Sequence, residues 1–136
     1  FNDTFGHPAG DKILAQLGGQ LGRALGSNGF AYRIGGDEFA VLARCDVDEC
    51  DAIAKRAAEA LTASGKGYDL GAAWGTVSIP AEATTPEEAM QLADVRMYAQ
   101  KESRRLSHDD AIAIEGADVS VRLGGAGDSE ALEHRQ

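Results

Sequence analysis

Apolar residues in the first hundred or so positions recur in two rhythms. Ile13, Leu14, Leu17, Leu21 and Leu25 return every three or four residues, the stripe of an amphipathic helix beginning near Asp11. Gly18, Gly19 and Gly22 interrupt it, each weakening a helix by roughly 1 kcal/mol relative to alanine. Tertiary packing must offset that loss, and the close approach of a neighbour is one reason for glycine there. Ser27-Asn28-Gly29 stops the helix and turns the chain. Residues 30–34 and 38–43 then read as short strands, and Gly35-Gly36-Asp37 between them predicts a β-hairpin with a glycine-rich tip. Asp46-Val47-Asp48-Glu49 supplies caps for a helix running to about Ser64, with Ile53, Ala57, Ala60 and Leu61 inward. Gly65-Lys66-Gly67 ends that helix. Residues 68–79 predict an apolar strand region, bent or divided at Gly71 and Gly75 and closed by Pro80. Thr85-Pro86-Glu87-Glu88 predicts a helix start, with a capping threonine, a proline in the first turn and an acid three residues after the cap. That helix carries Met90, Ala93, Met97, Tyr98 and Lys101 through to Arg105. Trp74 and the Met90/Met97 stripe are expected in the core.

The order helix, strand, strand, helix, strand, helix predicts an α/β (α+β) sandwich with its sheet covered on one face. An opening strand is missing from this pattern. The folded unit is expected within residues 1–106. Residues 107–136 carry Asp109, Asp110, Glu115, Asp118, Asp128, Glu130 and Glu133 against Arg122 and Arg135, with Gly124, Gly125 and Gly127 clustered and no aromatic residue. That composition reads as an acidic, glycine-rich tail or linker, in which 111–114 alternates weakly enough for an edge strand.

Composition then narrows the classes of function. The chain has 136 residues, about one domain, and 43% of them are hydrophobic, enough for a real core. Its net charge of -9 argues against indiscriminate binding to nucleic acid or to an anionic membrane. A compact phosphate site built from a few local cations is still open. Cys45 and Cys50 offer neither a disulfide framework nor metal-ligand spacing. No run approaches the roughly 18 apolar residues of a membrane span, and no signal segment is present. Phe1 in place of an initiating methionine suggests a chain that starts inside a longer protein.

Three clusters carry candidate chemistry. In Arg33-Ile34-Gly35-Gly36-Asp37-Glu38-Phe39, two glycines at a hairpin tip can expose backbone N–H groups to a phosphate, and two adjacent carboxylates can carry a divalent cation. The bland alternative is an ordinary tight turn. Asn2, Asp3 and Asp11 flank Gly6-His7-Pro8-Ala9-Gly10 and could read a purine edge, since Asn offers donor and acceptor together and Asp accepts from an N–H pair. The alternative there is that Asp11 caps its helix and His7 packs in a loop. Lys101 and Arg105, four residues apart on the last helix, share a face and could hold a triphosphate, or simply favour the helix C-terminus.

Taken together, residues 33–39 resemble the signature of the GGDEF domains, the diguanylate cyclases. Asn2-Asp3 with Gly6-His7-Pro8-Ala9-Gly10-Asp11 resembles that family's second motif, and residues 94–101 resemble the start of its last helix. The resemblance covers residues 1–106 in the expected order. It implies a palm-like nucleotidyl-cyclase fold with a central, mainly antiparallel sheet, whose first strand is missing from this chain. It also implies condensation of two GTP into cyclic di-GMP, with release of two pyrophosphates, in the intact parent. Carried over, Gly35 and Gly36 lie against the phosphates, Asp37 and Glu38 serve catalysis and the metal (Mg²⁺ or Mn²⁺), and a further metal-binding aspartate precedes residue 1. Asn2 and Asp11 recognise guanine, Lys101 and Arg105 hold the terminal phosphates, and Arg33 supports the hairpin.

Two domains, each holding one GTP, would have to meet face to face. The implied setting is cytoplasmic, behind a sensory or receiver domain, in a parent that can be membrane-attached. The family's inhibitory Arg-x-x-Asp site falls on Gly26-Ser27-Asn28-Gly29 and is not matched. In the closing Lys-x-x-Gly-Arg-Asn run, Arg104 takes the glycine position and Leu106 the asparagine position. Without the first strand, the chain by itself is expected to be inactive or badly folded. The alternatives are a degenerate domain that binds GTP as a regulatory ligand without turnover, and a structural dimerisation module.

Overall fold

The computed structural model describes residues 2–107 and 124–125. The chain opens with a short helix α1 (Asn2–Phe5) and turns at Gly6 into α2 (His7–Leu25). Gly6 makes that turn with φ of 83°, a left-handed value that favours glycine. The predicted stripe holds on α2: Leu17, Leu21 and Leu25 are buried, and Ile13 and Leu14 pack against the same core. The helix starts four residues before the expected position, so Asp11 lies in its second turn and does not cap it. His7 is the helix's first residue, not a loop residue, and it is exposed.

Strands β1 (Gly29–Arg33) and β2 (Phe39–Cys45) form the expected antiparallel hairpin, with Gly29 opposite Ala43 and Arg33 opposite Phe39. One face carries Phe39, Val41 and Ala43 into the core. At Gly18 a Cβ would stand 3.1 Å from the Phe39 ring, so close packing explains that glycine; Gly22 has nothing within 4 Å. Gly124 and Gly125 form a two-residue strand β5, parallel to Arg44 and Cys45 of β2.

Helix α3 (Val47–Ala60) buries Ile53, Ala54, Ala57 and Ala58 against α2 and β2. It ends earlier than its pattern predicts. The Leu61 N–H bonds to the Ala58 carbonyl, and the Thr62 hydroxyl donates to the Glu59 carbonyl at 2.7 Å, closing the last turn. The chain then forms a second small hairpin, β3 (Ala63–Gly65) against β4 (Tyr68–Leu70), with Gly67 at φ 88° in its turn. The Gly65-Lys66-Gly67 run is thus a hairpin turn and not a helix stop.

Only the first three residues of the predicted strand region 68–79 join a ladder; residues 71–78 join none. Backbone groups of Ala72, Trp74 and Thr76 bond instead to side chains of α4 (Pro86–Ser107). Gln100 Oε1 accepts from the Trp74 N–H at 2.7 Å. Arg104 Nη1 donates to the Ala72 carbonyl, and Arg96 Nη1 to the Thr76 carbonyl, each at 2.5 Å. Gly75 lies directly against the α4 backbone, where a Cβ would collide with the Ala93 carbonyl oxygen. Side chains on a helix thus take up three of the backbone groups that a partner strand would otherwise pair.

The predicted cap of α4 is present: Glu88 N–H donates to Thr85 Oγ1 at 3.2 Å, while Glu88 Oε2 accepts from the Thr84 and Thr85 N–H groups. Two apolar clusters result. The larger joins α2, β2 and α3 with Leu70-adjacent Ala72; the smaller holds Val77, Ala83, Ala89 and Ala93. Trp74 packs half-buried against the larger, whereas Met90, expected inside, is exposed, because the inward face of α4 is taken by Ala89 and Ala93.

The architecture is a mixed α/β fold with a small antiparallel sheet flanked by helices. The tail expectation for 107–136, including the possible strand at 111–114, lies outside the described residues apart from Ser107 and Gly124–Gly125.

Candidate functional site

The tip between β1 and β2 spans Ile34 to Glu38. It closes through the Glu38 carbonyl, which accepts from Ile34 N–H at 2.9 Å and from Gly35 N–H at 3.4 Å. Arg33, the last residue of β1, folds back over the tip. Its Nη2 and Nε donate to the Gly36 carbonyl at 2.6 and 2.9 Å, and Nε also reaches the Gly35 carbonyl at 3.3 Å. A trans peptide points its C=O and N–H in opposite directions. By drawing both carbonyls to one side, the guanidinium therefore turns the Gly36 and Asp37 N–H groups to the other. Consecutive N–H groups presented this way form a concavity suited to an anion.

The two carboxylates of the tip sit differently. Asp37 is exposed. Glu38 is half-buried, and its Oε2 lies 2.7 Å from where a Cβ on Gly35 would stand, so glycine leaves room for that carboxylate to fold over the loop. Among the described residues no group of three His, Cys, Asp or Glu side chains is gathered as for a metal. Two neighbouring carboxylates do match a hard cation such as Mg²⁺, which takes one or two protein carboxylates and completes its shell with water and phosphate oxygens.

Arg33 also connects the tip to α2, with Nη2 3.9 Å from Asp11 Oδ1. Both groups are largely open to solvent, so the pair contributes little to stability; its value is alignment. Gly10, next to Asp11 in the chain, lies against the Asn2 carboxamide, where any Cβ would clash. Asn2, Gly10, Asp11, Arg33, Gly35 and Gly36 thus form one chain of contacts. Behind it, Phe5 meets Tyr68 edge-on with ring centroids 5.6 Å apart, so the β3–β4 hairpin supports the segment bearing Asn2.

Lys101 and Arg105 lie on α4, whose packing partner is the segment 71–85. Arg105 pairs with Glu102 at 3.3 Å. No described hydrogen bond or ion pair joins Arg105 to the β1–β2 tip. Two α4 residues with evident structural roles escaped the sequence pattern: Gln100 and Arg104 grip the backbone of residues 72–74. Their spacing of four, one position before Lys101 and Arg105, is the signal that could have revealed them. Arg104 also stacks on Trp74, its guanidinium carbon 5.3 Å from the ring centroid.

Two cavities of about 240 and 610 Å³ border α3, and neither is lined by a candidate residue. Cys45 and Cys50 are buried free thiols in the main core. Burial raises the Cys45 thiol to about 12, which removes it as a nucleophile. No helix among the described residues is long and apolar enough to cross a membrane.

The family model described as "Diguanylate cyclase, GGDEF domain" matches residues 1–107. Among curated proteins, the chain is 35% identical over 111 residues to an uncharacterized signaling protein of Caulobacter vibrioides. It is 33% identical over 107 residues to the diguanylate cyclase DgcS of Shewanella oneidensis, and 29% over 110 residues to the diguanylate cyclase DgcP of Escherichia coli. Each match covers 76% of this chain, which spans 14%, 36% and 32% of the three relatives' lengths. No solved structure matches the chain.

Proposed function

We propose, on the premise that this chain belongs to the GGDEF family of diguanylate-cyclase-like signalling domains, that it is the GTP-binding half-site of a diguanylate cyclase. One observation carries the proposal: Arg33 holds the Gly35 and Gly36 carbonyls and reaches Asp11, linking a loop fit for phosphate to a segment fit for guanine. In this reading Asn2 and Asp11 bind the base edge through amide and carboxylate hydrogen bonds. The Gly36 and Asp37 N–H groups meet the phosphates, and Lys101 and Arg105 take the terminal ones.

Asp37 and Glu38 would hold Mg²⁺ or Mn²⁺, which supplies charge neutralisation at the triphosphate and acidifies a 3′-hydroxyl. Each 3′-oxygen attacks the α-phosphorus of the opposite GTP, its proton passing to a nearby carboxylate. The bond from that phosphorus to the bridging oxygen breaks, and pyrophosphate leaves. Cyclic di-GMP needs this twice, so two copies of the domain face each other during the reaction.

The test is GTP turnover with Mg²⁺ by the full-length protein that contains this chain, read by mass spectrometry, beside an Asp37→Ala/Glu38→Ala variant. Cyclic di-GMP from the first and none from the second is expected. GTP binding without product would replace the cyclase reading with a regulatory nucleotide site. No binding at all would leave a dimerisation module.

A further inference from the structure

The middle of α4 is fixed to the body at several points: Gly75 against Ala93, and Arg96 on the Thr76 carbonyl and on Glu82. Lys101 and Arg105 lie beyond them, in the last two turns before Ser107, and Tyr98 and Leu106 on the same stretch are exposed at 65% and 81%. A helix end with exposed apolar side chains frays unless it is tied down. Here Gln100 and Arg104 tie successive turns to the backbone of residues 72–74, and Ala72 itself belongs to the main core. The Arg104 guanidinium is held twice, by the Ala72 carbonyl and by the Trp74 ring. One step along a helix is a rotation of about 100°, so fixing the direction of residues 100 and 104 fixes that of residues 101 and 105.

We propose that Arg104 is a positioning residue: clamped between Trp74 and the Ala72 carbonyl, it sets with Gln100 the direction in which Lys101 and Arg105 meet the terminal phosphates of a nucleoside triphosphate. The assignment rests on the nucleotide reading above and adds to it a residue that never touches the ligand. Arg104 does this through another pair, so its loss weakens GTP while sparing GMP, which carries neither β- nor γ-phosphate. A residue that merely stabilised the fold would weaken both alike.

The experiment is calorimetric titration of the full-length protein that contains this chain with GTP and with GMP, both with Mg²⁺, using unmutated protein, Arg104→Ala, Arg104→Lys, Lys101→Ala/Arg105→Ala and the Lys101→Ala/Arg104→Ala/Arg105→Ala triple variant. Circular dichroism checks that each is folded. Arg104→Ala is expected to lower the ratio of GTP to GMP affinity about tenfold with GMP affinity unchanged. Arg104→Lys, which keeps a donor for the Ala72 carbonyl, is expected to recover at least half of that loss on a logarithmic scale. With Lys101→Ala and Arg105→Ala already in place, Arg104→Ala should change the ratio no further.

An unchanged ratio in Arg104→Ala, with GTP still bound by the unmutated full-length protein, would overturn the positioning role alone. Fully additive losses would also overturn it, because Arg104 would then act on phosphate directly. Absence of GTP binding by the unmutated full-length protein would overturn the nucleotide reading and this role with it.

Discussion

A Cβ on Gly10 would fall on the Asn2 carboxamide, the far end of a flexible side chain that can swing away. Gly10→Ala should therefore leave stability unchanged or raise it by up to about 1 kcal/mol through helix propensity. The same change would move Asn2 off its position and lower GTP affinity about tenfold, as calorimetry beside a thermal melt would read. Arg33→Met removes the charged donors that order the Gly35 and Gly36 carbonyls, and because these bonds are exposed, water takes the donors' place at little cost in stability. A tenfold or larger loss of GTP affinity with little change in melting temperature is expected.

Glu82 gives a test of a different kind. Hydrogen bonds from Arg96 and from the Ser78 N–H hold its carboxyl down at about 2. A folded-state value below the unfolded one contributes stability that is complete above about pH 4.5 and is lost as pH falls toward 2. The pair is more than a third exposed, so solvent screening reduces its contribution to about 1 kcal/mol or less. Urea titrations at pH 7 should show Glu82→Gln less stable than the unmutated chain, with the gap closing near pH 2.

At the scale of elements, two glycines separate packing from propensity. Gly75 touches backbone atoms of α4, with the Met97 nitrogen 2.9 Å from a would-be Cβ, and backbone cannot step aside as a side chain does. Gly75→Ala is expected to cost about 1–3 kcal/mol through overpacking and to loosen the whole contact between 71–85 and α4. Gly22, exposed on α2 with nothing near it, should instead gain up to about 1 kcal/mol on change to alanine. Opposite shifts in the urea midpoint would bear out both contacts; equal shifts would refute them.

For the whole molecule, the division into two apolar clusters predicts uneven stability. Among the described residues, thirteen buried ones, including Leu17, Leu21, Val41 and Leu61, form the cluster joining α2, β2 and α3, while four small ones support α4. Burial free energy follows apolar area, so α4 should open before the rest. Hydrogen exchange followed by mass spectrometry is expected to show α4 amides exchanging well ahead of those of α2 and α3. Matched protection would mean that the two clusters open as one. Any ordering of Lys101 and Arg105 by a triphosphate would then appear as added protection in this least stable element.

Where structure depends on near neighbours, the residues alone were sufficient: the α2 stripe, the β1–β2 hairpin and its tip, and the Thr85–Glu88 cap all follow from contacts within a few positions along the chain. The order of the three motifs was legible in the same way, since it is a matter of residue identity and spacing. Four outcomes needed the tertiary structure. Residues 71–78 look like a strand in sequence, but Ala72, Trp74 and Thr76 bond to Arg104, Gln100 and Arg96, twenty or more residues away. The end of α3 passes into the β3–β4 hairpin because cross-strand pairing competes there with helical continuation. Asp11 was open to reading as a helix cap; Gly6 starts the helix earlier and leaves the carboxylate facing Arg33. Met90 fits an inward stripe by spacing, yet small alanines take that face. The course of residues 71–78 and the place of Asp11 beside Arg33 turn on contacts between residues twenty or more positions apart, and such contacts exist only once the chain has folded back on itself.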